Sequence, residues 1–164
     1  MAEDVNAFCH AQWPGLVRTL TAMTGDMQRA QDLAQEAIAR VILRWPRVRG
    51  MEHPGGYLFR IGMNLARDDL RARRDEPAHP VVADGVVDDH ARRVALVLTL
   101  RQGLARLTPR QRTAVTLRHL GGLSVEESAS AMGCRPGTVT ALCHQAMRRL
   151  RADHDVMDLV GDER

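Results

Sequence analysis

The sequence predicts an all-α protein of two small helical domains joined by a flexible linker. Three observations lead there: apolar residues recur at helical spacing in both halves, no segment alternates as a strand does, and a proline-containing, acidic stretch over 75–94 interrupts the pattern between them. The 164 residues suffice for one ordinary domain or two small ones, and with 45% apolar and 26% charged residues the chain reads as globular rather than disordered. No run approaches the roughly 18 to 20 apolar residues of a membrane span, and the N-terminus lacks the basic-then-apolar order of a signal peptide, so a cytoplasmic protein is expected. The three cysteines, Cys9, Cys134 and Cys143, form no C-x-x-C pair, which argues against a disulfide framework or a zinc knuckle.

In the first half, a helix is predicted over 30–45 with Ile38, Val41, Ile42 and Trp45 inward at i, i+3, i+4, i+7. Its opposite face carries Asp32, Glu36 and Arg40 with Leu33 among them, and an outward leucine flanked by charges suits a protein partner. Residues 46–56 contain two prolines and three glycines, predicting a shaped loop, which bears Arg47 and Arg49. A helix over 57–74 follows, with Leu58, Ile61 and Leu65 inward. Arg60, Asn64, Arg67, Arg71 and Arg74 fall within an arc of about 80° on its far side. Arginines aligned this way repel one another and call for a polyanion.

All 23 basic residues are arginine, each a planar fork suited to bidentate phosphate contact. Residues 1–74 hold 11 arginines against 8 acids, 75–94 hold 2 against 5, 95–154 hold 9 against 3, and 155–164 hold 1 against 4. Two basic blocks separated by an acidic linker and followed by an acidic tail suit a chain that meets a polyanion through two surfaces.

The second half signs its helix starts. Thr108, Pro109 and Gln111 form an N-cap, N1 proline and capping-box residue, and Ser124 with Glu127 repeats the box. A short helix from Ser124 ends at Gly133, a turn through Pro136 follows, and a longer helix runs to about Arg151 with Val139, Cys143, Ala146 and Leu150 inward. Helix, glycine turn, helix is the helix-turn-helix arrangement, whose second helix enters the major groove. Its outward face holds Thr138, Ala141, His144, Gln145 and Arg148, with Arg149 near the end. Pattern alone leaves an αα-hairpin without DNA as the alternative.

Four stretches together carry a family likeness: Thr24-Gly-Asp26 followed by Asp32-Leu-Ala-Gln-Glu36 and Arg40; Tyr57-Leu-Phe-Arg-Ile-Gly-Met-Asn64 with Asp68 and Leu70-Arg71; Leu107-Thr-Pro-Arg-Gln-Arg112; and Gly137-Thr-Val139 with His144, Ala146 and Arg149-Leu-Arg151. In this order and spacing the chain resembles the extracytoplasmic-function sigma factors, small bacterial RNA polymerase initiation factors built from a region 2 and a region 4 domain. The resemblance implies a region 2-like domain over 1–74, a linker over 75–94, a region 4-like domain over 95–154 and an acidic tail over 155–164. It further implies that Asp32, Leu33, Gln35, Glu36 and Arg40 dock on the clamp coiled coil of the polymerase beta-prime subunit. Arg47, Arg49, Arg60, Asn64, Arg67, Arg71 and Arg74 would serve the minus-10 element, and Thr138, Thr140, Ala141, His144, Gln145, Arg148 and Arg149 the minus-35 element. Implied partners are core RNA polymerase, through its beta-prime clamp and beta subunits, promoter DNA and an anti-sigma factor. No enzyme active site, small-molecule substrate, metal or cofactor is expected.

One departure bears on mechanism. Where the family's recognition helix is strongly basic, this chain reads Thr140-Ala-Leu-Cys-His-Gln-Ala-Met147, four cations fewer. Fewer phosphate contacts imply weaker, less salt-sensitive duplex binding. A divergent sigma-like co-regulator acting mainly through protein contacts therefore stands as the second reading, and the acidic tail as a possible cover for the second domain.

Overall fold

Residues 2–73 and 89–152 are described by a computed structural model, and every regular element among them is helical. Arg74, the linker up to residue 88 and the acidic tail lie outside the described residues. The first half comprises α1 (Ala2–Thr24), α2 (Met27–Leu43), the short α3 (Trp45–Val48) and α4 (Pro54–Ala72). The second comprises α5 (Asp89–Ala105), α6 (Pro109–Val115) running on into a π-helical turn (Thr116–Leu120), α7 (Val125–Met132) and α8 (Pro136–Arg151).

Helix α2 begins where Asp26, in extended conformation, accepts a bond from the Arg29 amide at 3.1 Å. Its buried stripe is Ala30, Ala34, Ala37 and the expected Val41, with alanines in place of the expected Ile38 and Ile42. Small side chains let α2 press against α1 and α4, so the stripe is marked by size, and hydrophobicity alone points to the wrong face. Ile42 is consequently 46% exposed and Ile38 half-buried, while Leu33 packs against the core instead of projecting outward. Trp45 is buried as expected, but it opens α3 and packs on Phe8 with ring centroids 5.0 Å apart.

The predicted loop over 46–56 is partly helical: Pro46 sits in the first turn of α3, and α4 starts at Pro54 instead of Tyr57. Proline at a first turn sacrifices no bonded amide, which reconciles these prolines with helix. In α4, Leu58 is buried as expected, but Phe59, Met63 and Ala66 are also enclosed, and Ile61 and Leu65 are only half-buried. Helix α5 begins at Asp89, inside the stretch expected to be linker throughout. Both capping boxes form as predicted, Thr108 with Gln111 and Ser124 with Glu127, and Gly133 closes α7 in the left-handed region at φ 64°.

The two halves share one core. Leu117, Leu123 and Ala131 join the cluster of Leu16, Leu20, Leu58 and Phe59. Glycines make the approach possible: a Cβ on Gly15 would lie 2.3 Å from the Gly121 carbonyl oxygen, and one on Gly56 would lie 2.5 Å from that of Glu127. Around this seam the Arg18 Nε donates to the Leu120 carbonyl at 3.0 Å. Sequence periodicity carries no signal for either glycine contact.

Candidate functional site

The outward face of α2 presents Asp32, Gln35, Glu36 and Arg40, all exposed, with Glu36 and Arg40 paired at 2.5 Å across one turn. Leu33 lies on the flank of this face as part of the core. Toward the C-terminal end the same helix exposes Ile42 and, at 84%, Leu43. The result is a mixed acidic and apolar face on a rigid helix, which the sequence placed correctly for the charges and misplaced for the leucine.

Arg47 and Arg49 are exposed on and just after α3, next to the start of α4. On α4, Arg60, Asn64, Arg67 and Arg71 are exposed and share the helix face predicted for them. Arg67 donates to the Asn64 Oδ1 at 3.1 Å, which fixes the orientation of the amide and leaves its NH₂ edge outward. Asp68 lies 3.9 Å from Arg71, a solvated pair of little energetic weight. Asp69 is engaged inward instead: Arg29 donates to both its oxygens, and this hydrogen bonding holds the carboxyl below its usual range against the opposing effect of burial. The pair ties α2 to α4, so the α2 face and the basic stripe have a fixed mutual geometry.

Arg60 departs from the rest of the stripe. Its guanidinium donates to the carbonyls of Ser130 and Ala131, at the C-terminal end of α7. Those carbonyls carry the negative end of the helix, so a cation there is well placed. The stripe thus ends under the second domain: Arg60 is spent on it, and Gly55 and Gly56 lie against Glu127 and Ser130.

On α8, Thr140, Ala141, His144 and Arg148 are exposed, and Thr138 is half-buried near the turn. Gln145 and Arg149 are exposed but turned toward α6. The buried Gln111 donates to the Gln145 Oε1 at 3.1 Å and accepts from Arg149 at 3.3 Å, while also closing its own capping box. This polar hub joining α6 to α8 has no periodic signature. A capping-box glutamine can bond several groups at once, which is the one clue the sequence offers. Cys143 lines the cleft between α8 and the π-helical turn, and burial pushes its thiol up, with Arg118 opposing, so the thiol stays protonated near neutrality. Among the described residues no three metal-ligating side chains converge, and no helix is long and apolar enough to cross a membrane.

The sigma-70 region 2 family model matches residues 12–76 and the sigma-70 region 4 model matches residues 98–150. The chain is 35% identical over 145 residues to the RNA polymerase sigma-E factor of Streptomyces antibioticus, covering 88% of this chain and 81% of that protein. It is 33% identical over 146 residues to the ECF RNA polymerase sigma factor SigC of Mycobacterium tuberculosis, covering 85% and 78% respectively. In fold it resembles CnrH in its complex with the cytosolic domain of CnrY, with a TM-score of 0.69 at 20% identity over 94% of this chain and 90% of that one. It likewise resembles the sigma factor RpoE of Bartonella quintana, solved with the anti-sigma factor NepR, with a TM-score of 0.66 at 21% identity over 99% of both chains. Two matched regions in order, relatives aligned over most of their length and a shared fold place the chain in the sigma-70 family of RNA polymerase sigma factors, within its extracytoplasmic-function branch.

Proposed function

We propose that this sigma factor initiates transcription by binding core RNA polymerase through the exposed face of α2 and reading promoters through α4 and α8. The observation that carries the reading is the pair of exposed faces on the first half. Asp32, Gln35, Glu36 and Arg40 occupy one, Asn64, Arg67 and Arg71 the other, and the Arg29–Asp69 pair holds them together. A factor that must hold polymerase and promoter at once needs those two contacts at fixed geometry. Arg47 and Arg49 extend the second face toward the loop before α4, where an unpaired base of the minus-10 element would be held. Capture of an unstacked base needs a few kcal/mol per step, within reach of several phosphate contacts and one amide edge.

Helix α8 reads the minus-35 duplex through Thr138, Thr140, Ala141, His144 and Arg148, with Gln145 and Arg149 contributing once released from Gln111. The chain is a transcription regulator, and the reading assigns it no bond-making chemistry, cofactor or metal. It works in the cytoplasm with polymerase beta-prime clamp and beta subunits. An anti-sigma factor is a further partner, in line with the complex in which the structurally similar Bartonella quintana RpoE was solved.

A second reading, a co-regulator acting mainly through protein contacts, draws on α8: with Arg149 engaged by Gln111, the free face over residues 138–148 holds a single arginine. Binding of labelled full chain to bacterial core polymerase, followed by anisotropy, tests the first reading. Asp32→Ala with Glu36→Ala should weaken it at least tenfold with helicity unchanged, and Asn64→Ala should leave it intact while slowing promoter opening. Leu33 is unsuitable as the probe because its truncation would damage the core. Native affinity in the double variant would remove α2 as the docking face, and equal loss of both activities in Asn64→Ala would mean a failed fold.

A further inference from the structure

The cleft between α8 and the π-helical turn has an occupant suggested by its own chain. It encloses about 260 Å³, with Arg118, Arg148 and Arg151 around an apolar floor of Val139, Cys143 and Met147. No carboxylate pairs with any of these three arginines among the described residues. Arg118 is held in place by donating to the Leu123 carbonyl, which leaves its remaining N–H groups for another acceptor. An apolar floor rimmed by unpaired cations suits a segment that is both acidic and apolar.

Residues 153–164 have that composition: five carboxylates, at 153, 155, 158, 162 and 163, interleaved with Val156, Met157, Leu159 and Val160. They follow directly on α8, whose Arg151 already lines the cleft. Twelve residues span up to about 40 Å, and the lining from Thr140 to Arg151 covers roughly 16 Å of helix, so the segment can turn back along the whole cleft. We infer that residues 153–164 dock in cis in this cleft and screen α8 from duplex DNA. The cleft also contains Thr140 and His144, two residues of the proposed minus-35 surface, so tail and duplex compete for one site. The docking rests on the cleft alone, whereas the competition rests on the DNA-reading role proposed for α8.

The test compares the full chain with two full-length variants. One carries Asp155→Asn, Asp158→Asn, Asp162→Asn and Glu163→Gln; the control neutralises as many acids elsewhere, through Glu3→Gln, Asp4→Asn, Glu52→Gln and Asp84→Asn. Amide NMR signals of 118–119 and 139–151 should move in the tail variant and stay in the control. A third variant, Val156→Ser with Leu159→Ser, should move the same signals. Unmoved signals there, or changes only elsewhere, overturn the docking, and shifts that grow with protein concentration overturn its assignment to the same chain. Affinity for a duplex lacking promoter sequence should rise about three- to tenfold in the tail variant, the scale of losing a tethered competitor. An equal rise in the control overturns the screening. Tail-dependent shifts in a chain that binds no duplex uphold the docking and count against the role proposed for α8.

Discussion

Gly15→Ala separates the stability of the halves from the strength of the seam between them. The new Cβ would meet the Gly121 carbonyl oxygen at 2.3 Å and its carbon at 3.0 Å, both backbone atoms of the residue that caps the π-helical turn, so relief requires the halves to part by about 1 Å. The seam buries Leu117 and Leu123 almost completely. Together those two contribute about 4 kcal/mol. A gap of that size forfeits a quarter to a half of the attraction across it, so the closed arrangement should weaken by about 1–2 kcal/mol. Within α1 itself, alanine is favoured over glycine by up to about 1 kcal/mol. The substitution should therefore leave overall unfolding nearly unchanged while shifting the closed-to-open ratio about 5- to 30-fold. Native-state hydrogen exchange reads that ratio directly. Amides of 116–123 should exchange faster by that factor, with those of the buried α2 stripe unaffected. Unchanged exchange at 116–123 would show that the seam absorbs a methyl group without opening, and uniform acceleration would show that the glycine serves the fold of the first half instead.

Two further predictions concern the scaffold beneath the proposed surfaces. Asp69→Asn should cost about 1 kcal/mol near neutrality, because it removes a charge-assisted pair that is partly screened by solvent. The folded Asp69 carboxyl lies below its usual range, so its contribution is fully present above about pH 4 and disappears as the pH falls through the folded value. Urea midpoints of native chain and variant should accordingly differ at neutral pH and converge in acid, whereas a pH-independent difference would point to packing. Ser124→Ala removes the N-cap of α7 and half of its capping box, and should cost about 1 kcal/mol and lower the melting temperature by about 2–4 °C, as read in a thermal scan. An unchanged melting temperature would mean that the seam, through Ala131, holds α7 without its cap.

How much was legible in the sequence depended on whether the signal was local. Caps, turns and charge stripes depend on a few adjacent residues, so Thr108, Ser124, Gly133 and the α4 stripe were read directly. Hydrophobic bulk finds Val41 and Trp45 but on α2 points to Ile42 where a close helix contact selects Ala30, Ala34 and Ala37. The early start of α4 was hidden by Gly55 and Gly56, which read as loop but serve an approach to α7 from far along the chain. Helix faces and the family resemblance point Arg60, Gln145 and Arg149 toward DNA, and only the fold shows their present partners. None of these long-range contacts leaves a spacing to read.

Of these residues Arg60 gives the closed arrangement a functional meaning on the proposed reading, whereas Arg149 is engaged within the second half. Arg60 on carbonyls at the end of α7, and Arg149 on the Gln111 amide oxygen, satisfy each guanidinium with acceptors that phosphate would replace. The exchange costs little at each residue, because one charge-assisted hydrogen bond is traded for another. The expensive part is the apolar seam, whose Leu117, Leu123 and Phe59 must be uncovered if α7 is to leave the start of α4. Promoter DNA alone offers phosphates, which suit the arginines and do nothing for the leucines. Opening therefore has to draw on a second source of binding energy; polymerase can engage the exposed α2 face without breaking the closed state, but it favours opening only through contacts that the seam covers. On the proposed reading the exposed α2 face, Asn64, Arg67 and Arg71 on α4, and Thr140, His144 and Arg148 on α8 are available in the closed factor, and only the contact by Arg60 has to wait until the halves have parted.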